Sequence, residues 1–279
     1  MEIKNRQKKK TDLMNRLKKD TERTVGVAFS GGVDSSLLLK MACECAAENG
    51  THVVAFMMQT ELLPIGDVEV AEKVAKEAGA ELHILSVEVL KEAAIAKNPV
   101  DRCYLCKKMI FSKIKAEAEK MGISVLIEGT NADDCFVYRP GIRAIRELGV
   151  TSPLADAGIT KSEVRDLAAE YGIFVADRPS SPCMATRFPY GTRLTIEKLE
   201  QVKKGEEYIR GLGLYNVRLR VHENLVRIEV DECDIEKLIR QKKDLITYLK
   251  KLGYSYITLD LEGFRSGSMD IDIRKEKFR

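Results

Sequence analysis

Residues 25–39 read VGVAFSGGVDSSLLL. An apolar run, Val25 to Phe29, stops at Ser30-Gly31-Gly32; Asp34, Ser35 and Ser36 follow, and a helix-like apolar run starts at Leu37. Strand, glycine turn and helix together gather free backbone N–H groups and the positive end of a helix dipole around an anion. Gly31 and Gly32 let the backbone approach phosphate oxygens and take φ/ψ values barred to other residues. Ser30, Ser35 and Ser36 add hydroxyl donors. The G-x-x-x-x-G-K-S/T spacing of a Walker loop is absent, so this is a phosphate site of another design.

Around this turn, strand and helix alternate. An amphipathic helix is expected over residues 9–23, strands over 25–29, 53–58, 82–87 and 125–128, and helices over 34–49, 67–78 and 104–121. Gly50 and Gly79 are placed to end two of these helices. The strand 53–58 is apolar throughout, as strands covered on both faces are. The expected fold is α/β, a parallel sheet with helices on both faces. Ligands of such sheets bind beyond the carboxyl ends of the strands. The glycine turn lies at that edge, and so does Gly129-Thr130-Asn131-Ala132-Asp133-Asp134 after the fourth strand. Asp133 and Asp134 could help hold a nucleotide and Mg²⁺, a hard cation that prefers carboxylate oxygen. They could equally shape a turn or cap a helix.

Three prolines and two arginines crowd into 177–190, DRPSSPCMATRFPY. This reads as a linker or active-site loop between a first domain, 1–178, and a second, 179–279. The second is a smaller α/β domain. Its expected elements are a helix over 195–210, strands over 217–221 and 225–230 joined at Glu223-Asn224, a helix over 234–252 and a strand over 256–259. Arg218 and Arg220 share one face of their strand, as do Arg227 and Glu229 on the next. Such a face could clamp phosphate or carboxylate, or be a solvated face with cross-strand ion pairs.

The chain has 279 residues, 44% hydrophobic and 32% charged, with a net charge of +3. That charge is too small to argue for nucleic acid, and the basic run Lys8-Lys9-Lys10 reads as the wet side of a helix. No apolar run approaches the roughly 20 residues that span a bilayer, and a cytoplasmic protein is expected. A homo-oligomer is the expected assembly. Seven cysteines, an odd number, argue against a secreted disulfide framework. Cys103 and Cys106 form a C-x-x-C among Arg102, Lys107 and Lys108, where positive charge favours thiolate. The pair could be a zinc half-site, a redox pair or half of an iron–sulfur site. Cys183 lies in the proline-rich loop, and three cysteines can hold an iron–sulfur cluster with one open iron. Cys43, Cys45 and Cys233 read as ordinary packing residues. The histidines do not cluster, and neither a Ser-His-Asp nor an H-E-x-x-H arrangement occurs.

SGGVDSS resembles the PP-loop of the ATP pyrophosphatase superfamily (the adenine nucleotide alpha hydrolase-like fold). With NPVDRCYLCKK, EGTNADD, YRPGIRAIRELGVTSPL, PSSPCMATRFPYGTRLT, VRLRVHENLVRIEV and LDLEGFRSGSMD, the chain resembles, from about residue 20 to 270, the sulfur transferases of nickel-pincer nucleotide cofactor biosynthesis, the LarE family. The resemblance implies ATP-dependent adenylation of a pyridinium-3,5-dicarboxylate mononucleotide and sulfur transfer to give thiocarboxylate. By motif, Ser30, Gly31, Gly32, Asp34, Ser35 and Ser36 would hold ATP, with Gly129, Thr130 and Asp133 completing the nucleotide and Mg²⁺ site. Asp34 and Cys183 would be catalytic, Cys183 as the sulfur-bearing position. Arg187, Glu206, Arg218, Arg220 and Glu229 fall where the family binds substrate or pyrophosphate. The family has two versions. In one, Cys183 would give up its own sulfur; in the other, Cys103, Cys106 and Cys183 would hold a 4Fe–4S cluster. The chain carries all three cysteines, which favours the cluster. The rivals are a tRNA thiolase, another PP-loop ligase using ammonia, and a non-catalytic nucleotide-binding module with structural zinc.

Overall fold

The structure is a computed structural model that describes residues 2–136 and 140–265, with side chains from residue 5. Tyr138, Arg139 and the 266–270 end of LDLEGFRSGSMD lie outside the described residues. The chain groups into two compact units. Among the described residues, one contains those of 2–60, 66–88 and 101–181, the other those of 61–65, 89–100 and 182–265. The strands are β1 Val25–Phe29, β2 Val53–Gln59, β3 Glu81–Ser86, β4 Val125–Glu128, β5 Arg218–His222, β6 Leu225–Glu229 and β7 Tyr256–Leu259. The helices are α1 Glu2–Asp20, α2 Val33–Asn49, α3 Asp67–Ala78, α4 Ala93–Ala96, α5 Arg102–Lys120, α6 Pro140–Glu147, α7 Pro153–Asp156, α8 Lys161–Glu170, α9 Ile196–Gly211, α10 Ile235–Arg240 and α11 Lys242–Lys251.

In the first unit the sheet is parallel, ordered β3-β2-β1-β4. Thr151 extends it by one bridge to Ile127. Alternate residues of each strand face opposite layers. Val54, Phe56 and Leu126 pack with Phe111, Ile114 and Ala118 of α5 and Ile145 of α6. Val25, Val27, Val53 and Ala55, buried with α2 residues Leu37, Leu38 and Met41, make the other layer. Helices thus cover both faces. Gly26 sits in the crowded first layer, where a β-carbon would lie 2.5 Å from Leu126 Cδ2. Gly26→Ala is expected to cost about 1–3 kcal/mol of stability through overpacking, measured by urea unfolding. An unchanged midpoint would show that the layer has slack there.

The first helix begins at Glu2, not at residue 9, and ends at Asp20. Its basic start is not a purely wet face. Lys9 pairs with Glu163 at 2.8 Å, Lys10 with Glu170 at 3.4 Å, and Arg6 with Glu170. Those partners on α8 supply the order that apolar periodicity did not register. The helix expected over 104–121 is α5, which opens at Arg102, so Cys103 and Cys106 both lie inside it.

In the second unit β5, β6 and β7 form a sheet, the first pair antiparallel and the second parallel. The turn falls at Glu223-Asn224, with Glu223 at φ +56. Gly205 lets α9 approach β5, since a β-carbon there would lie 2.4 Å from Leu219 Cδ1. The helix expected over 234–252 is two helices that meet at Gln241. Leu238, Leu245 and Leu249 are buried with helical spacing on both sides of the break, so apolar spacing alone reads through it. Residues 61–65 and 89–100, which lie between elements of the first unit in sequence, pack in the second. Leu62 O accepts from Met184 N at 2.9 Å, and Ala96 O from Leu194 N at 2.8 Å. A single boundary at 178/179 does not describe these two excursions. No helix among the described residues is long and apolar enough to cross a membrane.

Candidate active site

The glycine turn sits at the carboxyl end of β1, where the sequence put it. Its two glycines are not equivalent. Gly31 has φ +71, and a β-carbon there would lie 3.1 Å from Ala71 Cβ. Gly32 has φ −78 and ψ 159, which any residue adopts, and a β-carbon there would meet only Ser30 Oγ at 3.4 Å. The expectation of a barred conformation therefore holds for Gly31 and is corrected for Gly32, whose lack of a side chain leaves clear a space the protein does not fill. Gly32→Ala is expected to change stability by less than about 1 kcal/mol, as an unstrained surface change does. It should raise the ATP KM, measured by pyrophosphate release; an unchanged KM would show that phosphate does not sit there. Ser30 and Ser35 hydroxyls meet at 3.1 Å, and Ser35 Oγ donates to Gly32 O at 3.1 Å. Ser36 differs. It is fully buried, its hydroxyl has no hydrogen-bond partner, and it lines a cavity of about 110 Å³ with Lys40, Glu77 and Tyr171. Only its backbone joins the turn's hydrogen-bond net, through Ser36 N on Gly32 O at 2.9 Å.

The segment after β4 packs directly on this turn. A β-carbon on Gly129 would lie 2.8 Å from Ser35 N, so only glycine lets the two backbones meet. Buried Glu128 braces the segment by accepting from Thr130 N at 3.1 Å, Thr130 Oγ1 at 2.9 Å and the Ser152 hydroxyl. Asn131 Nδ2 donates to Asp34 Oδ1 at 3.0 Å. The Lys161 ammonium donates to Asp34 Oδ2, and Lys161 N donates to Asp133 Oδ2 at 2.8 Å. Asp134 N donates to Asn131 Oδ1 at 3.2 Å, so this pair shapes the turn. Asp34 and Asp133 thus both reach the start of α8. Lys161 escaped the sequence reading. The available signal was Thr160-Lys161-Ser162-Glu163, a capping box that fixes Lys161 at the first helical position.

In the second unit, Cys183 opens a short 3₁₀ turn, 184–187. The loop is held by its own arginines. Arg187 is 1% exposed and pairs twice with Glu206, Nε to Oε1 at 2.8 Å and Nη2 to Oε2 at 3.0 Å. Its Nη1 donates to Pro182 O at 2.8 Å and to Cys183 O at 3.4 Å. Arg220 donates Nε to Glu229 Oε2 at 2.9 Å and Nη1 to Thr186 O at 2.8 Å. Glu206 also accepts from Arg210 and from Leu219 N, and exposed Glu207 lies outside this net. Burial alone would raise the Glu206 carboxyl; the charge and hydrogen bonds of Arg187, with Arg210, hold it below the usual carboxylate range. Burial, then the Arg187 charge, pulls Arg218 down to about 10.

Three of the five residues expected to bind substrate, Arg218, Arg220 and Glu229, thus share one charged sheet face in register Arg218↔Glu229 and Arg220↔Arg227, while Arg187 comes from the Cys183 loop and Glu206 from α9. Arg218, Arg220 and Glu229 are buried and Arg227 half-buried, which corrects the solvated alternative, while the cross-strand ion pair Arg220–Glu229 is present. Arginines outnumber carboxylates: Arg187, Arg210, Arg218, Arg220 and Arg227 against Glu206, Glu229 and Asp260. The buried members balance, Arg187, Arg218 and Arg220 against the three carboxylates, so the positive excess lies on the half-buried Arg210 and Arg227.

Cys103 and Cys106 lie three residues apart in the first turns of α5, half-buried and not in a disulfide. Arg102, itself buried, donates Nη2 to Cys103 Sγ at 3.5 Å. The donors suit thiolate ligation in kind, as does half-buried Cys183. Among the described residues no three Cys, His, Asp or Glu side chains are gathered into a metal site. Burial pushes the Cys43 thiol up to about 11 and raises Cys45, as expected of inert packing cysteines.

Residues 4–143 match the PP-loop domain family. The chain is 38% identical over 267 residues to the pyridinium-3,5-bisthiocarboxylic acid mononucleotide synthase of Lactiplantibacillus plantarum, covering 96% of this chain and 95% of that one. It is 37% identical to an uncharacterised protein of Synechocystis, over 88% of this chain and 91% of that protein. An uncharacterised protein of Methanocaldococcus jannaschii is 34% identical, over 93% of this chain and 98% of its own length.

Proposed function

The chain belongs to the PP-loop family and, within it, to the LarE group of pyridinium-3,5-bisthiocarboxylic acid mononucleotide synthases, and from that premise we propose the roles of its residues in ATP-dependent sulfur insertion. The enzyme is a sulfurtransferase that uses ATP. Its substrate is a pyridinium-3,5-dicarboxylate mononucleotide. A substrate carboxylate oxygen attacks the α-phosphorus of ATP, the bond to the β-phosphate oxygen breaks, and pyrophosphate leaves with the electron pair. The resulting acyl adenylate is attacked at its carbonyl carbon by sulfide or thiolate sulfur. The carbon–oxygen bond to AMP breaks; sulfide gives the thiocarboxylate directly, whereas a Cys183 thiolate gives a thioester whose Cβ–S bond must then break, leaving dehydroalanine at 183.

The observation that carries this reading is the meeting of Asp34, Asn131 and Lys161 beside the glycine turn at the carboxyl edge of a parallel sheet. Asp34, and Asp133 beside it, would hold Mg²⁺ once Lys161 yields its place, and Lys161 would then neutralise phosphate charge. Ser30, Gly31, Gly32 and Ser35 would hold the phosphates, with Gly129 and Thr130 fixing the floor; Ser36 has weaker support from its buried position. Adenylation needs placement and charge neutralisation rather than a nucleophilic side chain. Arg218, with Arg220 and Glu229, would meet the anionic substrate, while Arg187 and Glu206 would brace the Cys183 loop. Cys103, Cys106 and Cys183 would hold a 4Fe–4S cluster, which when bound would supply a terminal sulfide as sulfur donor. A cytoplasmic setting and a homo-oligomeric assembly belong to the same proposal. An RNA substrate is less well supported, because Lys9 and Lys10 are engaged by Glu163 and Glu170.

Asp34→Ala is expected to end pyrophosphate release, and unchanged release would remove the glycine turn from the mechanism. Lys161→Ala should lower the rate of release roughly 10²-fold, the usual cost of one lost charge-stabilising donor. A wild-type rate would leave Lys161 only a structural partner of Asp34.

A further inference from the structure

Asn98 lies in the connection between β3 and α5, in a segment that packs in the second unit. It is fully buried and has φ +53. Asparagine tolerates this left-handed conformation, and glycine would suit it better. What asparagine adds is its amide. Asn98 Nδ2 donates to Pro189 O at 2.8 Å and to Phe188 O at 3.4 Å. Its backbone carbonyl, which any residue would supply, accepts from Gly191 N at 2.8 Å. These carbonyls belong to the exit of the loop that Cys183 opens. The entry of that loop is held by Leu62 O on Met184 N and by Arg187 on Pro182 O and Cys183 O. Asn98 is therefore the clasp at the other end, and a buried carbonyl left unmet there would cost more than one hydrogen bond is worth.

We propose that Asn98 is a positioning residue for Cys183: by fixing Phe188 and Pro189 it holds the loop in the register that places Cys183 where sulfur is delivered to the reacting carboxyl carbon. This rests on the reading of Cys183 as the sulfur-bearing position. Removing the clasp frees the exit while the nucleotide site, in the other unit, keeps all its own contacts. Loss of alignment by about 1 Å slows a positioned reaction by up to about 10²-fold.

Asn98→Gly tests this, because glycine keeps the backbone conformation and deletes only the amide. The full-length protein with this change should release pyrophosphate at the wild-type rate and keep its KM for the mononucleotide. Thiocarboxylate formation should slow roughly 10- to 100-fold, and hydrogen exchange over 183–191 should quicken. A merely structural role would slow both steps together. Should Asn98→Gly fail to fold, Asn98→Ala, which also deletes the amide and adds no charge, carries the same expectations. Exchange and sulfur transfer both at wild-type values, or both steps slowed equally, would overturn the proposal. Cys183→Ala, assayed alongside, separates the two failures. If that variant still makes thiocarboxylate, the Cys183 reading falls and the proposal with it, whatever exchange reports about the loop.

Discussion

Cys183→Ala is expected to reduce thiocarboxylate formation to background while pyrophosphate release remains measurable. The two steps separate because the two sites are built from different residues. The groups proposed to serve adenylation, Asp34, Asn131 and Lys161, are fixed by one another and by Gly129 against the first turn of α2. The Cys183 loop is fixed through backbone carbonyls, those of Pro182, Cys183 and Thr186, by Arg187 and Arg220. Loss of the sulfur atom breaks none of these bonds, so the variant should fold and bind its substrates. Only the sulfur-bearing step lacks its group. Product analysis by mass spectrometry, beside a pyrophosphate assay, reads both steps in one reaction. Thiocarboxylate from the variant would assign the sulfur-bearing role elsewhere.

Glu206→Ala carries the largest expected loss of stability, about 3–5 kcal/mol, because it leaves a buried guanidinium without its counter-charge. Arg187 is 1% exposed and has no route to water. Leu219 N loses its acceptor at the same time. Replacing both partners with apolar residues, Arg187→Met with Glu206→Leu, should recover part of this stability, as buried pairs exchanged together do. It should not recover sulfur transfer, since the carbonyls of Pro182 and Cys183 stay unbraced. The pair also sets a pH dependence. The Glu206 pKa is lowered on folding, so its contribution is present above the unfolded carboxylate value of about 4.3 and is lost as pH falls through the lower folded value. The stability gap between wild type and Glu206→Gln, from denaturant titrations, should therefore be full near neutral pH and close in acid. A gap that does not depend on pH would deny the ion pair its share.

The parallel sheet was legible because its signals are local. Val25–Phe29 is apolar and followed by glycines, and Gly50 and Gly79 adopt the left-handed caps their positions suggested. The strand 125–128 and the helix 67–78 were read to the residue. The early start of α1 was not, because its order comes from ion pairs with α8, more than 150 residues away in sequence. The same limit hid Lys161 and Asn98. Each acts through a partner remote in sequence, and neither belongs to a spacing pattern with a recognised chemistry. The arginine face could be seen in the alternation of β5 and β6, but its burial could not, since that depends on the loop that carries Thr186 and Arg187. Excursions 61–65 and 89–100 were equally silent: their hydrogen bonds run to residues 184–194.

The most direct measurement is a single anaerobic incubation of the full-length protein with ATP, Mg²⁺, sulfide and pyridinium-3,5-dicarboxylate mononucleotide, with the product weighed by mass spectrometry. The account predicts AMP and pyrophosphate together with a mononucleotide in which sulfur has replaced carboxylate oxygen. AMP and pyrophosphate with an unchanged mononucleotide, or no pyrophosphate at all, would contradict it.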